Sequence, residues 1–224
     1  MYSSIIFKEW LKTRRVFFVA LALALLVAVY VILSFNSQIK AHGIGALWIA
    51  MLLKDVSFVD AVTYVPLAIG VALGVAQMAP EMASKRLKLT LHLPYPQVKL
   101  VAMMLAAGMI ELLAIYVLQA ATILIYDATI FHPEMVGRVF LTMLPWYLTG
   151  FIGYLFVSAI CLEGTWYMRI ILGLVGIAVV LVMYLQPGTM AAYNHMIITV
   201  IVLVLVLTIL SFGSIARFKE GHQD

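Results

Sequence analysis

Glu111 is the acidic residue placed deepest inside an apolar stretch, near the middle of residues 98–126. An ionised side chain at the centre of a bilayer costs about 2.5–3.5 kcal/mol on insertion scales. A carboxyl at that depth therefore faces a bundle interior, a cavity or a partner chain. Gln119 lies eight residues on, with Met104 and Ile115 on roughly the same helical face. Two roles fit this pair equally well: lining a path for a solute, or hydrogen bonding to a neighbouring helix. Other chemistry finds little support. The five histidines, at 42, 92, 132, 195 and 222, are scattered over different loops and ends and are not spaced to share a metal. No HExxH, GxSxG or GxxxxGK[ST] occurs, so the chain has no motif for zinc hydrolysis, for a nucleophile elbow or for P-loop ATP binding. Cys161 is the single cysteine, which excludes an internal disulfide.

The elements that position these residues follow from composition. The chain has 224 residues, 65% hydrophobic and 11% charged. Ordinary soluble domains carry about 25% charged residues. The polar residues are too few to coat a water-soluble globule, so the expectation is an all-α integral membrane protein. About 20 apolar residues cross the hydrocarbon core as a helix. Val16–Phe35 meets that length without a charge. Further spans are expected at about 58–79, 98–126, 138–161, 170–186 and 195–216. Before the first span, residues 1–15 place Tyr2, Ile6 and Trp10 four apart, with Ser4, Lys8 and Lys12 on another face. This predicts an amphipathic helix lying at the membrane surface. Gly43–Leu53 is apolar but too short to span, and is expected as an interfacial or re-entrant helix. Gly70 and Gly74 have the GxxxG spacing that lets helices approach closely, so they are expected at a helix–helix contact.

Six spans put both termini on one side. With the N-terminus inside, the inner segments hold Lys8, Lys12, Arg14, Arg15, Lys85, Arg86, Lys88, Lys99, Arg169, Arg217 and Lys219, against Lys40, Lys54 and Arg138 outside. Eleven against three is a strong positive-inside asymmetry. The net charge of +4 then reflects an anionic inner leaflet rather than nucleic acid. Both termini and the stretch Pro80–Val101 are expected in the cytoplasm. That stretch is the longest polar interruption between two spans. It carries Glu81, Lys85, Arg86, Lys88 and Lys99, with leucines at 87, 89, 91 and 93 before Pro94 and Pro96. It is long enough to hold a short structured element that docks on a soluble partner.

These residues resemble the cytoplasmic signature of the ABC-2-type transporter permeases. That pattern is a Glu, four residues on Gly-Thr-Leu, then a leucine-rich run closing in Leu-Pro. Glu81 takes the Glu position, Leu87 the Leu, Leu89 and Leu91 the run, and Leu93-Pro94 the close. Lys85 and Arg86 depart from the usual Gly-Thr, and Met104 stands where the family often has a lysine. The layout is also similar: an N-terminal amphipathic helix, six spans, and this loop (residues 80–97) between spans two and three.

The resemblance implies that the loop forms a coupling helix seated on a separate P-loop ABC ATPase, with Glu81, Lys85, Arg86, Leu87, Leu89, Leu91 and Pro94 as the coupling residues. It implies ATP and Mg on that partner and no cofactor on this chain. It further implies pairing with a second permease, as homodimer or heterodimer, in the inner membrane of a prokaryote. Export of an apolar or amphipathic substrate, such as a drug, peptide or lipid, would then pass Glu111 and Gln119. Two other readings stay open. One is a non-transporting scaffold that recruits a different cytoplasmic partner. The other is a proton-coupled secondary carrier or polytopic membrane enzyme that uses Glu111.

Overall fold

The computed structural model describes residues 2–53, 57–83, 97–185 and 193–219. Among them there is no strand. The described residues form seven α-helices: α1 (Tyr2–His42), α2 (Ile44–Leu53), α3 (Val65–Ala83), α4 (Gln97–Ala128), α5 (Pro133–Leu162), α6 (Trp166–Met183) and α7 (Ile197–Lys219). Single 3₁₀ turns, Asp60–Val62 and Asn194–Met196, precede α3 and α7. Among the described residues, five stretches are long and apolar enough to cross a membrane: Ile5–His42, Asp60–Met82, Lys99–Ala128, Pro133–Leu162 and Trp166–Met183. Within α7, Ile197–Thr208 is a shorter apolar stretch. This make-up suits a multi-pass membrane protein.

The expected surface helix at 1–15 and first span at 16–35 are one continuous helix of 41 residues. The reason lies in the sequence: no Gly or Pro occurs before Gly43, so nothing separates the basic segment from the apolar run. The helix stops at Gly43, whose φ of +78° is a left-handed conformation that glycine adopts without steric cost, and whose N–H caps the Ile39 carbonyl at 2.9 Å. The boundary expected at Pro80 also moves. α3 runs to Ala83 with Pro80 in its last turn, so Glu81 is a helical residue rather than a loop residue. α2 occupies the short apolar stretch after Gly43 and buries Leu47 and Met51. Lys85, Arg86, Leu87, Leu89, Leu91 and Pro94, together with any coupling helix they form, lie outside the described residues.

Two helix pairs dominate the packing: α3 against α5, and α1 against α4. α1 meets α4 through Ala20, Ala24 and Ala28, one turn apart and buried, followed by Val31 and Phe35. Small residues at this spacing let two backbones approach. The α3–α5 contact is tighter. A Cβ on Gly70 would run into the Gly150 carbonyl oxygen, and one on Gly74 would lie 3.2 Å from the Tyr154 oxygen. Tyr116 of α4 locks the crossing by donating its hydroxyl to the Pro66 carbonyl at 2.8 Å. α6 and α7 pack on α5, and α6 leaves Leu174, Ile177 and Leu181 exposed.

The two ends of the bundle differ in chemistry. One end is aromatic: Phe35 of α1 meets Phe58, Tyr126 and Phe131 edge-on, with ring centroids 5.7, 6.5 and 5.3 Å away. The other end gathers the first turns of α1, the last turns of α3 and the N-terminal half of α4, and it is ionic.

Candidate functional site

The ionic end is built from four helices. On α1, Lys8, Glu9, Lys12 and Thr13 follow i, i+1, i+4, i+5 spacing and so share one face. On α3, Gln77 and Glu81 are one turn apart. α4 contributes the Met104 and Leu105 carbonyls, Gly108 and Glu111, and α5 contributes Tyr154. Glu9, Thr13, Gln77, Glu81, Glu111 and Tyr154 are all buried.

Lys12 is the hub. Its Nζ lies 2.8 Å from Glu9 Oε2 and 2.8 Å from Glu81 Oε1, and it donates to the Gln77 carbonyl at 3.4 Å. Lys8, whose side chain is 43% exposed, reaches Glu81 Oε1 from the rim at 3.0 Å. Gln77 joins all four helices. Its Nε2 donates to Glu9 Oε2 at 3.1 Å and to the Met104 carbonyl at 2.7 Å, while its Oε1 accepts from the Tyr154 hydroxyl at 2.7 Å. The Tyr154 hydroxyl also reaches the Leu105 carbonyl at 3.3 Å. Gly108 makes room for this junction: a Cβ there would collide with Tyr154 Oη and Gln77 Oε1. Thr13 extends the network by donating to Glu111 Oε1 at 2.6 Å, besides the Glu9 carbonyl at 3.0 Å.

Charge does not balance within this set. Glu9, Glu81 and Glu111 face Lys8 and Lys12, so the fully ionised cluster carries one excess negative charge. Glu9 Oε1, Glu81 Oε2 and Glu111 Oε2 are buried with no partner among the described residues. A buried ion-pair network adds little net stability compared with an apolar core of the same shape, but it is strongly disrupted when one member is removed. Its chief physical effect is to fix one relative placement of α1, α3, α4 and α5. No group of three His, Cys, Asp or Glu among the described residues is arranged to hold a metal ion.

The structure moves the residues singled out from the sequence. Glu81, expected to face a soluble partner, is buried and paired with two lysines of α1, so any part it takes in coupling passes through α1. Glu111 is not level with the middle of the first span. It meets Thr13, three residues before the uncharged run begins at Val16. Gln119 is the deeper group: its Nε2 donates to the Ala24 carbonyl at 3.1 Å, halfway along that run. Both side chains of α4 therefore bond to α1, and neither lines the cavity described below. Lys8 and Lys12, expected on the outer face of a surface helix, turn toward the bundle. Glu9, Thr13, Gln77, Gly108 and Tyr154 were not singled out from the sequence at all. The available signal was Glu9 set between two lysines on one face, together with an amide and an acid one turn apart at the end of the second span.

Exchange of Glu111 for Gln keeps an acceptor for the Thr13 hydroxyl and removes one negative charge from a cluster that has one too many. The expected change in stability is within about 1 kcal/mol, whereas Glu111→Leu removes the acceptor. Thermal unfolding of the purified variants checks this: a Gln variant as destabilised as the Leu variant would show that the charge, not the hydrogen bond, matters. Compared with protein-family models, with curated proteins and with solved structures, the chain matches none.

Proposed function

We propose that this chain is the permease subunit of an ATP-driven exporter of the ABC-2 type, with ATP and Mg bound by a separate P-loop subunit docked on residues 84–96. The observation that carries the proposal is the ion-pair network at the root of that segment. Glu81 stands two residues before the end of α3 and is tied to α1 by Lys8 and Lys12. Gln77 extends the tie to α4 and, through Tyr154, to α5. A force applied at the end of α3 thus reaches four helices. Leu87, Leu89 and Leu91 would supply the apolar ridge that meets the ATPase, flanked by Lys85 and Arg86, with Pro94 ending the element.

On this reading the chain has six spans, with α7 as the sixth, and works as a dimer with a second permease. The excess of Lys and Arg at the ionic end supports a cytoplasmic side for that end and for both termini on this reading. Nucleotide binding closes the ATPase pair, the docked elements move, and an apolar or amphipathic substrate crosses between the permeases. A proton-coupled carrier centred on Glu111 is disfavoured, because Glu111 is engaged by Thr13 at a helix contact.

Co-purification tests the proposal. Tagged protein is expected to bring down a P-loop ATPase whose hydrolysis rate depends on the permease, and Leu87→Asp or Leu91→Asp is expected to abolish both. Purification without any ATPase, or an ATPase indifferent to both substitutions, would overturn it. A scaffold protein would still bind a partner but would show no nucleotide-dependent movement of a substrate.

A further inference from the structure

A second site lies beside the ionic end and shares no residue with it. An open cavity of roughly 440 Å³ lies between α3, α5 and α6. Among the described residues, Ala79, Met82, Ile160, Ile170, Cys161 and Trp166 form its walls and Arg169 is its charged lining residue. Trp166 and Ile170 are exposed, so the cavity opens sideways, toward the surface that a bilayer would cover, rather than into the bundle. We propose that it binds one anionic phospholipid, with the headgroup phosphate on Arg169 and the upper part of an acyl chain along the apolar walls.

Four observations converge on this ligand. First, the backbone holds the Arg169 guanidinium in place. Its Nε donates to the Glu163 carbonyl at 2.9 Å, which orients the group, and among the described residues no carboxylate pairs with it. An oriented guanidinium with unused N–H groups is suited to a phosphate. Second, the site lies at the N-terminus of α6, an 18-residue helix whose first N–H groups lack intrahelical acceptors and carry partial positive charge. Third, Thr165, the residue before that helix, makes no side-chain capping bond, and its hydroxyl is buried with no partner among the described residues. Fourth, Trp166 and Tyr167 are both exposed at the same helix end, as aromatic side chains are at the headgroup level of membranes.

The walls decide between a lipid and a free anion. Inorganic phosphate could use Arg169 and the helix end but would leave the apolar part of the cavity unfilled, whereas a phospholipid satisfies both at once. Depth agrees, since Ala79 and Met82 flank Glu81 at the end of α3, where a span meets the headgroups. The proposal does not depend on the transport reading and stands or falls separately.

Native mass spectrometry of the full-length protein in mild detergent, titrated with dioleoyl phosphatidylglycerol and with dioleoyl phosphatidylcholine, tests the site. The wild type is expected to retain one phosphatidylglycerol about fivefold more tightly than phosphatidylcholine, the size of effect one basic residue has at a membrane surface. Arg169→Gln is expected to erase that preference, Arg169→Lys to keep part of it, and Arg14→Gln, away from the cavity, to leave it unchanged. Ala79→Phe fills the cavity and is expected to weaken both lipids. Equal retention of the two lipids by the wild type overturns the proposal, as does an undiminished preference in a folded Arg169→Gln variant. Displacement of phosphatidylglycerol by millimolar inorganic phosphate, with Ala79→Phe unchanged from wild type, shows an anion site instead and also overturns it. Should Arg169→Gln fail to fold, the wild-type ratio and Ala79→Phe still decide.

Discussion

Replacing Lys12 with Met is expected to lower the unfolding temperature by about 10 °C, the largest effect of any single polar substitution at the ionic end. Removing one partner of a buried charge pair costs about 3–5 kcal/mol, because the remaining charge is left buried and unpaired. For a chain of this size each kcal/mol corresponds to about 2–4 °C. Lys12 has a larger share than Lys8 because it holds both Glu9 and Glu81, whereas Lys8 holds Glu81 alone and from a half-exposed position. The loss is expected to be charge-specific. Combining Lys12→Met with Glu9→Gln and Glu81→Gln removes the stranded carboxylates and is expected to recover most of it. A Lys12→Met variant that unfolds at the wild-type temperature would show that the network does not hold these helices together. High salt is expected to change little, since screening acts weakly on groups excluded from water.

The second large effect is steric. Gly70→Ala and Gly150→Ala each place a methyl group where the α3–α5 crossing has no room: the first against the Gly150 carbonyl oxygen, the second against the Tyr116 hydroxyl and, at 2.7 Å, the Pro66 carbonyl oxygen. A flexible side chain could swing away, but a backbone carbonyl cannot, so the two helices must separate. The expected cost of each substitution is about 3 kcal/mol, at the upper end for overpacked cores. Gly173→Ala on α6 is the control. Nothing lies within 4 Å of its Cβ position, and a gain of up to about 1 kcal/mol from helix propensity is expected. Thermal unfolding of the three variants separates the cases. If Gly70→Ala tracks Gly173→Ala, the close crossing is not what holds α3 to α5.

How much of this could be read from residues alone depended on how far apart the interacting groups lie in the chain. Apolar helices were legible where the pattern is local: Val16–Phe35 declares itself by length and lack of charge, although its helix runs on to the turn at Gly43. The ends of helices were less legible. Glu81 read as the start of a polar loop because a charge after an apolar run normally meets water. Its neutralisation by Lys8 and Lys12 depends on residues some seventy positions earlier, which no local window contains. The helix contact of Glu111 was hard to read for a related reason. The centre of the apolar stretch around Glu111 coincides with the centre of a membrane only if the helix spans it without overhang, and α4, at 32 residues, is about 48 Å long. The close crossing at Gly70 and Gly74 was legible as a spacing, but its partner, Gly150 on α5, was not, since a glycine without a repeat carries no mark of what it faces. Gly108 and Tyr154 were invisible on the same ground.

The position of the ionic residues along the chain also bears on how the protein is made. Glu9 and Lys12 leave the ribosome before Glu81, which follows about seventy residues later, a delay of roughly 4–14 s at ordinary synthesis rates. During that interval α1 must wait at the membrane without its later partners. The 2.8 Å contact between Glu9 and Lys12, three residues apart on one helix, gives it a way to do so, because the two charges cancel within α1 itself. The nascent helix then presents a compensated pair rather than two bare ions. Glu81 arrives as a second acceptor for a lysine already oriented by the first. The order in which the residues occur is thus also an order in which they can assemble, each newcomer meeting a partner that is already in place.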